Sequence, residues 1–203
     1  MPIFKGNPIM IRIILSAVFL LVATLPLQKT AMSDTTLTLT KSSYAYSDKQ
    51  TKRDIECLAK NIYFESRSDN LAGRYAVADV VLNRVNDRRY PGTICGVVYD
   101  GRHIESWKTK KNKKLPDSER IYTPVKNMCQ FSWYCDSVKD IPKNQELWED
   151  AQLIARNILT HNTHRGITEG ATHYHATYVD PYWAKNLQQI GRIGLHIFYR
   201  WKE

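Results

Sequence analysis

Apolar residues recur at three- and four-residue intervals in three stretches of the chain, and each predicts a helix. From Asp54 onward Ile55, Leu58, Ala59, Ile62 and Ser66 share one face, which places a first helix over 53–66. A second runs from Leu71 to Arg88, with Tyr75, Ala78, Val81, Leu82 and Val85 on its inner side, and stops where Tyr90-Pro91-Gly92 forces a turn. The two are expected as an antiparallel pair. A third covers Glu146 to Leu159, where Leu147, Ala151, Ile154, Ala155 and Ile158 repeat helically. Two segments alternate instead, Thr172–Val179 and Leu195–Trp201; rich in aromatic and β-branched residues, they read as strands. Between Val97 and Pro142 no long period holds, and glycine, proline, short aromatic runs and the cluster Lys108, Lys110, Lys111, Lys113 and Lys114 predict loops. The expected fold class is α+β, mainly helical with a small antiparallel sheet. No internal repeat or low-complexity segment interrupts it.

The N-terminal quarter has a different character. Ile13 to Leu27 is apolar except for Ser16, Thr24 and Pro26, and the only charges before it are Lys5 and Arg12. Such a span is short for a membrane helix, which needs about 20 residues, and Ala31-Met32-Ser33 offers a small-x-small cleavage site. Residues 1–33 therefore read as an export signal cleaved after Ser33, or alternatively as an uncleaved anchor beginning as early as Ile9. Residues 34–50 are rich in serine and threonine without a sustained apolar face, as expected of a linker. That leaves 51–203 as one domain, in keeping with a 203-residue chain.

Charge narrows the partners. The formal net charge is +9, and removing 1–33 takes away Lys5, Arg12 and Lys29 but no acid, leaving +6. A basic exported domain favours anionic partners: an acidic cell-wall polymer, an anionic membrane surface or nucleic acid. All four cysteines, Cys57, Cys95, Cys129 and Cys135, lie in the exported part, where disulfides form. Three full pairings are open, Cys129 and Cys135 being close enough in sequence to close a short loop, and the spacing does not match a zinc-binding CxxC pair.

Glu65 is the most informative single position. On a helical projection it falls about 70° from the centre of the Ile55/Leu58/Ala59/Ile62 face, at the border of core and solvent. A carboxyl there loses hydration, which raises its pKa and suits a general acid; a solvated carboxylate closing the helix is the bland alternative. Asp69, four residues on, either shares the site or caps the helix starting at Leu71. His173 and His175 share a strand face, where they could bind a sugar, hold the catalytic carboxyl or, with a third ligand, take zinc. Phe131, Trp133, Tyr134, Tyr174, Tyr178, Tyr182 and Trp183 are candidates for stacking on sugar rings or for the core.

Six blocks in order then carry a family resemblance: Asn61-Ile62-Tyr63-Phe64-Glu65-Ser66-Arg67, Val80-Val81-Leu82-Asn83-Arg84-Val85, Cys95-Gly96-Val97-Val98-Tyr99, Cys129-Gln130-Phe131-Ser132-Trp133, Ala171-Thr172-His173-Tyr174-His175-Ala176, and Arg192-Ile193-Gly194 with His196-Ile197-Phe198-Tyr199-Arg200. Over about residues 55–201 the chain resembles the SleB-type cell wall hydrolases, the family of the spore cortex-lytic enzymes. The resemblance implies a lysozyme-like, lytic-transglycosylase-related fold, peptidoglycan glycan strands as substrate, and Glu65 as the catalytic acid. From the same blocks Asp69, Asn83, Phe131, Ser132, Trp133, Thr172, His173, Tyr174 and His175 are expected to bind substrate or support the site. The chain departs from the family with Ser66 and Ser68 where alanine and glycine are common and with Asp69 as the shorter second acid, while its paired histidines His173 and His175, which the spore enzymes tend to lack, align it with the non-spore branch.

The expected activity is cleavage between N-acetylmuramic acid and N-acetylglucosamine by one carboxyl, in the manner of a lytic transglycosylase, with no metal and no cofactor. Its rivals are hydrolysis using Asp69 as a second carboxylate, a zinc amidase built on His173 and His175, and a non-catalytic binding module. A monomer in the periplasm or cell envelope is expected, with Lys108–Lys114 holding it on anionic envelope polymer and no nucleic acid partner.

Overall fold

A computed structural model describes residues 35–202, with side chains from Asp48 onward; the expected export signal or anchor over 1–33 lies outside the described residues. In chain order the elements are α1 (Thr35–Ser66), α2 (Leu71–Val85), α3 (Ile94–Val98), β1 (Gly101–Glu105), α4 (Trp107–Lys110), β2 (Tyr122–Cys129), α5 (Gln145–His161), β3 (His173–Ala176), β4 (Gln188–Ile193) and β5 (His196–Arg200). Short 3-10 turns cover Asp117–Glu119, Ser132–Cys135 and Ala184–Asn186.

The core forms where the helical apolar faces meet. Ile55, Leu58 and Ile62 of α1, Tyr75, Ala78 and Val81 of α2, and Ile154 and Ile158 of α5 pack together with Val97 and Val98 of α3. Burying each of the larger side chains contributes about 1.5–3 kcal/mol. α2 is enclosed on its other side as well, where Ala76 and Val80 meet Ala171 and Phe198. This helix is the slab between the helical layer and the sheet.

The helix ends have local causes. The hydroxyl of Ser66 donates to the carbonyl of Ile62 at 2.9 Å, and the Asp69 N–H closes on the Ser66 carbonyl at 2.9 Å. α2 is capped by Asn70, whose side chain accepts from the Gly73 N–H at 2.9 Å, so Asp69 is not the cap. α2 ends at Val85 rather than Arg88. Asn144 caps α5 and Asn162, at φ 53°, turns the chain out of it. α1 runs unbroken from Thr35, so the described part of the stretch read as a linker is helical; its last turns gain i,i+4 contacts between Lys52 and Asp48 and between Gln50 and Asp54. Among the described residues no helix is long and apolar enough to cross a membrane.

Two antiparallel sheets form rather than one. β3, β5 and β4 make a three-stranded sheet in that order, with Tyr174 opposite Phe198 and His173 opposite Tyr199. β1 and β2 make a separate hairpin from the region read as loop, with Gly101 opposite Cys129. A Cβ at Gly101 would stand 2.8 Å from the Cα of Cys129, so glycine is what lets the strands meet there. The cysteines pair as Cys57–Cys95, with Cα atoms 5.3 Å apart, and Cys129–Cys135, with Cα atoms 6.2 Å apart. The first ties α1 to α3; the second ties the hairpin root to the turn that carries Trp133.

Candidate active site

Glu65 is the penultimate residue of α1, half-buried beneath β3. Strand alternation brings Tyr174 to it: His173 and His175 face one side of β3, and the tyrosine between them faces α1. The Tyr174 hydroxyl donates to Oε2 of Glu65 at 3.1 Å. Burial pushes the Glu65 carboxyl above its ordinary value, while the Tyr174 hydrogen bond and the Arg84 charge pull the other way. Burial and the Glu65 charge likewise drive the Tyr174 hydroxyl well above the usual tyrosine range, so it remains a donor.

Arg84 is the neighbour that the periodicity did not single out. It lies buried on α2, its Nε donates to the Thr172 carbonyl at 2.8 Å, and its guanidinium stacks over Phe131 and Tyr90 at 5.2 and 5.4 Å. Its Nη1 is buried and, among the described residues, has no hydrogen-bond partner. The signal was present as a cation one turn beyond Val80 and Val81 in an apolar run, a position where a charge must serve something.

Asp69 does not face the site as a free acid. Its carboxylate accepts from the Leu195 N–H at 3.0 Å, from Nδ1–H of His196 at 3.1 Å and from the Asn70 N–H at 2.7 Å. It is wedged so closely between Gly73 and Gly194 that a Cβ on either would overlap it. Asp69 therefore pins the β4–β5 turn to the start of α2. His196 in turn packs edge-on against Tyr174, 5.1 Å between centroids, so this clamp supports the tyrosine that holds Glu65.

The other expected residues divide. Asn83 bonds the Thr168 hydroxyl at 3.0 Å and the Ala171 carbonyl at 2.9 Å, and accepts from Arg165; with the fully buried Asp79 it fastens the 165–171 loop to α2. Thr172 is buried, and its hydroxyl meets Nδ1 of His173 at 3.0 Å. His173 and His175 both contact Trp183 on the face of β3 opposite Tyr174, and Nε2 of His175 lies 2.9 Å from the Tyr199 hydroxyl, so neither histidine holds Glu65. Phe131 is core beneath Arg84, Ser132 is exposed, and Tyr178 and Tyr182 project into solvent. Among the described residues no three metal-ligating side chains converge.

Trp133 does join the site region. It stacks on Phe64 with centroids 4.9 Å apart, and its indole N–H donates to Asn61 at 3.2 Å. Next to this pair opens a cleft of about 610 Å³ lined by Tyr63, Phe64, Arg67, Trp133, Leu147 and residues of the 136–144 segment. It lies on the face of the last α1 turn adjoining that of Glu65, which itself does not line it.

The chain is similar to known proteins. A spore cortex-lytic enzyme of Bacillus cereus is 41% identical over 51 residues, 25% of this chain and 20% of that protein; one of Bacillus subtilis strain 168 is 38% identical over 47 residues, 23% and 15% of the two chains. The matches thus span a fifth or less of these relatives' length. Among solved structures, the catalytic domain of the Bacillus cereus SleB protein is 26% identical, covering 73% of this chain and 91% of that one at a TM-score of 0.46. The catalytic domain of the germination-specific lytic transglycosylase SleB from Bacillus anthracis is 25% identical, covering 72% and 93% at 0.44. The sequence model of the Cell Wall Hydrolase family matches residues 68–199, opening just past Glu65 and taking in Asp69, Arg84 and Tyr174, and across that majority of its length the chain belongs to the cell wall hydrolase family.

Proposed function

We propose that the protein is a peptidoglycan glycosidase that cleaves the bond between N-acetylmuramic acid and N-acetylglucosamine as a lytic transglycosylase, with Glu65 as its single acid and base. The observation that carries this reading is the state of the two nearby acids: Glu65 is half-buried with its pKa pushed up and a tyrosine hydroxyl on one oxygen, whereas Asp69 is consumed by three donors. Family membership and the similarity to spore cortex-lytic enzymes support the substrate class.

A carboxyl with a raised pKa keeps its proton at the pH where an ordinary glutamate has lost it. Glu65 gives that proton to the glycosidic oxygen as the bond to C1 of the muramic residue breaks, and N-acetylglucosamine leaves with its hydroxyl restored. The carboxylate so formed lies against the positive charge developing at C1. It then takes the proton of the C6 hydroxyl of the same muramic residue, whose oxygen closes on C1 to give a 1,6-anhydro ring. Glu65 ends protonated, and no water is consumed. Tyr174 holds the carboxyl in one orientation through both transfers, and Arg84 limits how far its pKa rises.

Hydrolysis would require a second carboxylate about 5–5.5 Å or 6.5–9.5 Å from the first. Asp69 was the sequence candidate, and its clamp on the 194–195 turn argues against that role. The test is digestion of purified peptidoglycan by the protein and by Glu65→Gln, with mass spectrometry of the soluble fragments. Anhydro-muropeptides from the wild type alone are expected. Reducing ends would mean hydrolysis, and cleaved peptides or an active Glu65→Gln protein would overturn the assignment.

A further inference from the structure

The hairpin β1–β2 and the segment it encloses stand apart from the helical core and the three-stranded sheet. Between Arg102 and Met128 both faces are largely solvent-exposed. The hairpin is held at its root, by the Cys129–Cys135 disulfide and by His103, whose Nε2 lies 3.1 Å from the Tyr134 hydroxyl. A projecting hairpin left largely uncovered by the described residues would ordinarily be polar. This one carries Trp107 at 67% exposure, with Ile104, Ile121, Tyr122 and Met128 each about half exposed. Trp107 and Ile121 are neighbours in space, because the Ser106 N–H donates to the Ile121 carbonyl at 2.7 Å and the Ile121 N–H to the Thr109 hydroxyl at 3.2 Å.

The charge around these side chains is one-sided. From Gly101 to Cys129 there are eight lysines and arginines against three acids. Two of the acids, Glu105 and Asp117, are both taken by Arg120. Lys108, Lys110, Lys111, Lys113 and Lys114 are exposed and, among the described residues, make no ion pair. Lys111 reaches back to Trp107, its Nζ over the indole ring 5.6 Å from the centroid.

We propose that this hairpin docks on the surface of an anionic phospholipid bilayer, with Trp107 and Ile121 entering the headgroup boundary and the Lys108–Lys114 cluster meeting lipid phosphates. A hydrophilic polyanion would satisfy the lysines but leave Trp107, Ile121 and Met128 in water, whereas a bilayer surface satisfies both sets: indole rings favour the interface, and each basic residue there adds an attraction to the anionic headgroups that falls off within a Debye length. The proposal is independent of Glu65, since no residue of the hairpin contacts that carboxyl.

The experiment uses the full chain with vesicles of phosphatidylcholine alone or mixed with phosphatidylglycerol, both with brominated acyl chains that quench tryptophan. The readout is the difference between wild type and Trp107→Phe, which isolates one indole whatever the N-terminal apolar segment does. We expect a quenched, blue-shifted Trp107 component with phosphatidylglycerol, its loss in phosphatidylcholine or at high salt, and its loss when Lys108, Lys110 and Lys111 are changed to glutamine. Muropeptide release by these variants should match wild type. An unquenched Trp107 in anionic vesicles, or equal quenching in both vesicles, would overturn the proposal. So would salt-sensitive retention on soluble polyglutamate with Trp107 unquenched, which would assign the cluster to an anionic polymer.

Discussion

The Tyr174 hydroxyl donates to Oε2 of Glu65 across 3.1 Å, joining residues 109 positions apart in the chain. That hydrogen bond favours the ionised carboxyl, so removing it raises the Glu65 pKa further. In Tyr174→Phe the ring still packs on Phe198 and His196. The alkaline limb of the pH–rate profile should therefore move to higher pH, while kcat falls roughly tenfold, the scale of one hydrogen bond to a charged group. An alkaline limb that stays put or moves down would show that the hydroxyl does not act on the Glu65 proton.

Glu65 also makes the fold sensitive to pH in a predictable direction. Its folded pKa lies above the ordinary value of 4.5, so the folded state holds the proton more tightly than the unfolded chain. Relative stability from this group is fully present below that value and is lost as pH rises through the folded pKa. Glu65→Gln, which cannot ionise, should melt above wild type at pH 8 and close to it at pH 4. Thermal melts at the two pH values decide the matter; a gap that widens toward acid would contradict the buried-acid picture.

Asp69 serves the fold. Asp69→Asn presents an N–H to donors that previously met an oxygen, and should cost about 2–4 kcal/mol in urea unfolding. Gly194→Ala should be comparably damaging, because φ there is +58° and the new Cβ would overlap the Asp69 carboxyl. The fragments released by folded Asp69→Asn should keep their anhydro ends. A variant of wild-type stability with lost activity would return Asp69 to the chemistry.

How much of this was legible beforehand follows from which interactions are local. The 3.6-residue apolar period gave α1 from 53 onward, α2 and α5, and its placement of Glu65 at the edge of the core face was a geometric deduction about a single helix. β4 escaped because Gln188, Gln189, Gly191 and Arg192 carry no apolar alternation; it is an edge strand recruited by β5. β1 and β2 escaped because a hairpin exposed on both faces has no buried side to imprint on its sequence. Residues 35–50 read as a linker because threonine and serine favour helix weakly and the stretch shows no sustained apolar face. At the site, Asp69 could be read either as a second acid or as a cap, since its real partners, Leu195 and His196, lie over 120 residues away. The paired histidines drew attention by spacing, although alternation meant that the tyrosine between them would face the other way.

The two disulfides should differ in weight. Cys57–Cys95 closes 38 residues and Cys129–Cys135 closes 6. Chain-entropy arithmetic assigns about 4 kcal/mol to the first loop and about 2 to the second. Replacing Cys57 and Cys95 by serine should accordingly lower the denaturation midpoint about twice as much as replacing Cys129 and Cys135. Equal losses would mean that the short bridge holds more of the fold than its own loop, through the turn that carries Trp133.

Arg84 connects the two faces of β3 electrostatically. Burial first, then Arg84 and Arg89, push the His173 pKa down to about 4, and Arg84 also lowers that of Glu65. His173 should thus stay neutral across pH 5 to 8. Because its folded pKa lies below the ordinary 6.5, the stability it contributes is present above 6.5 and lost as pH falls toward 4, opposite in sign to Glu65. Arg84→Met keeps the apolar contacts with Phe131 and Tyr90 but removes the charge. Both pKa values should then rise together, although the groups sit on opposite faces of the strand. The Thr172 carbonyl loses its donor, at a cost of about 1–3 kcal/mol. NMR titration of the His173 ring, with the pH–rate profile run in parallel for Glu65, tests the pair. Movement of one without the other would mean that Arg84 reaches only one face, and the common field inferred for the site would have to be abandoned.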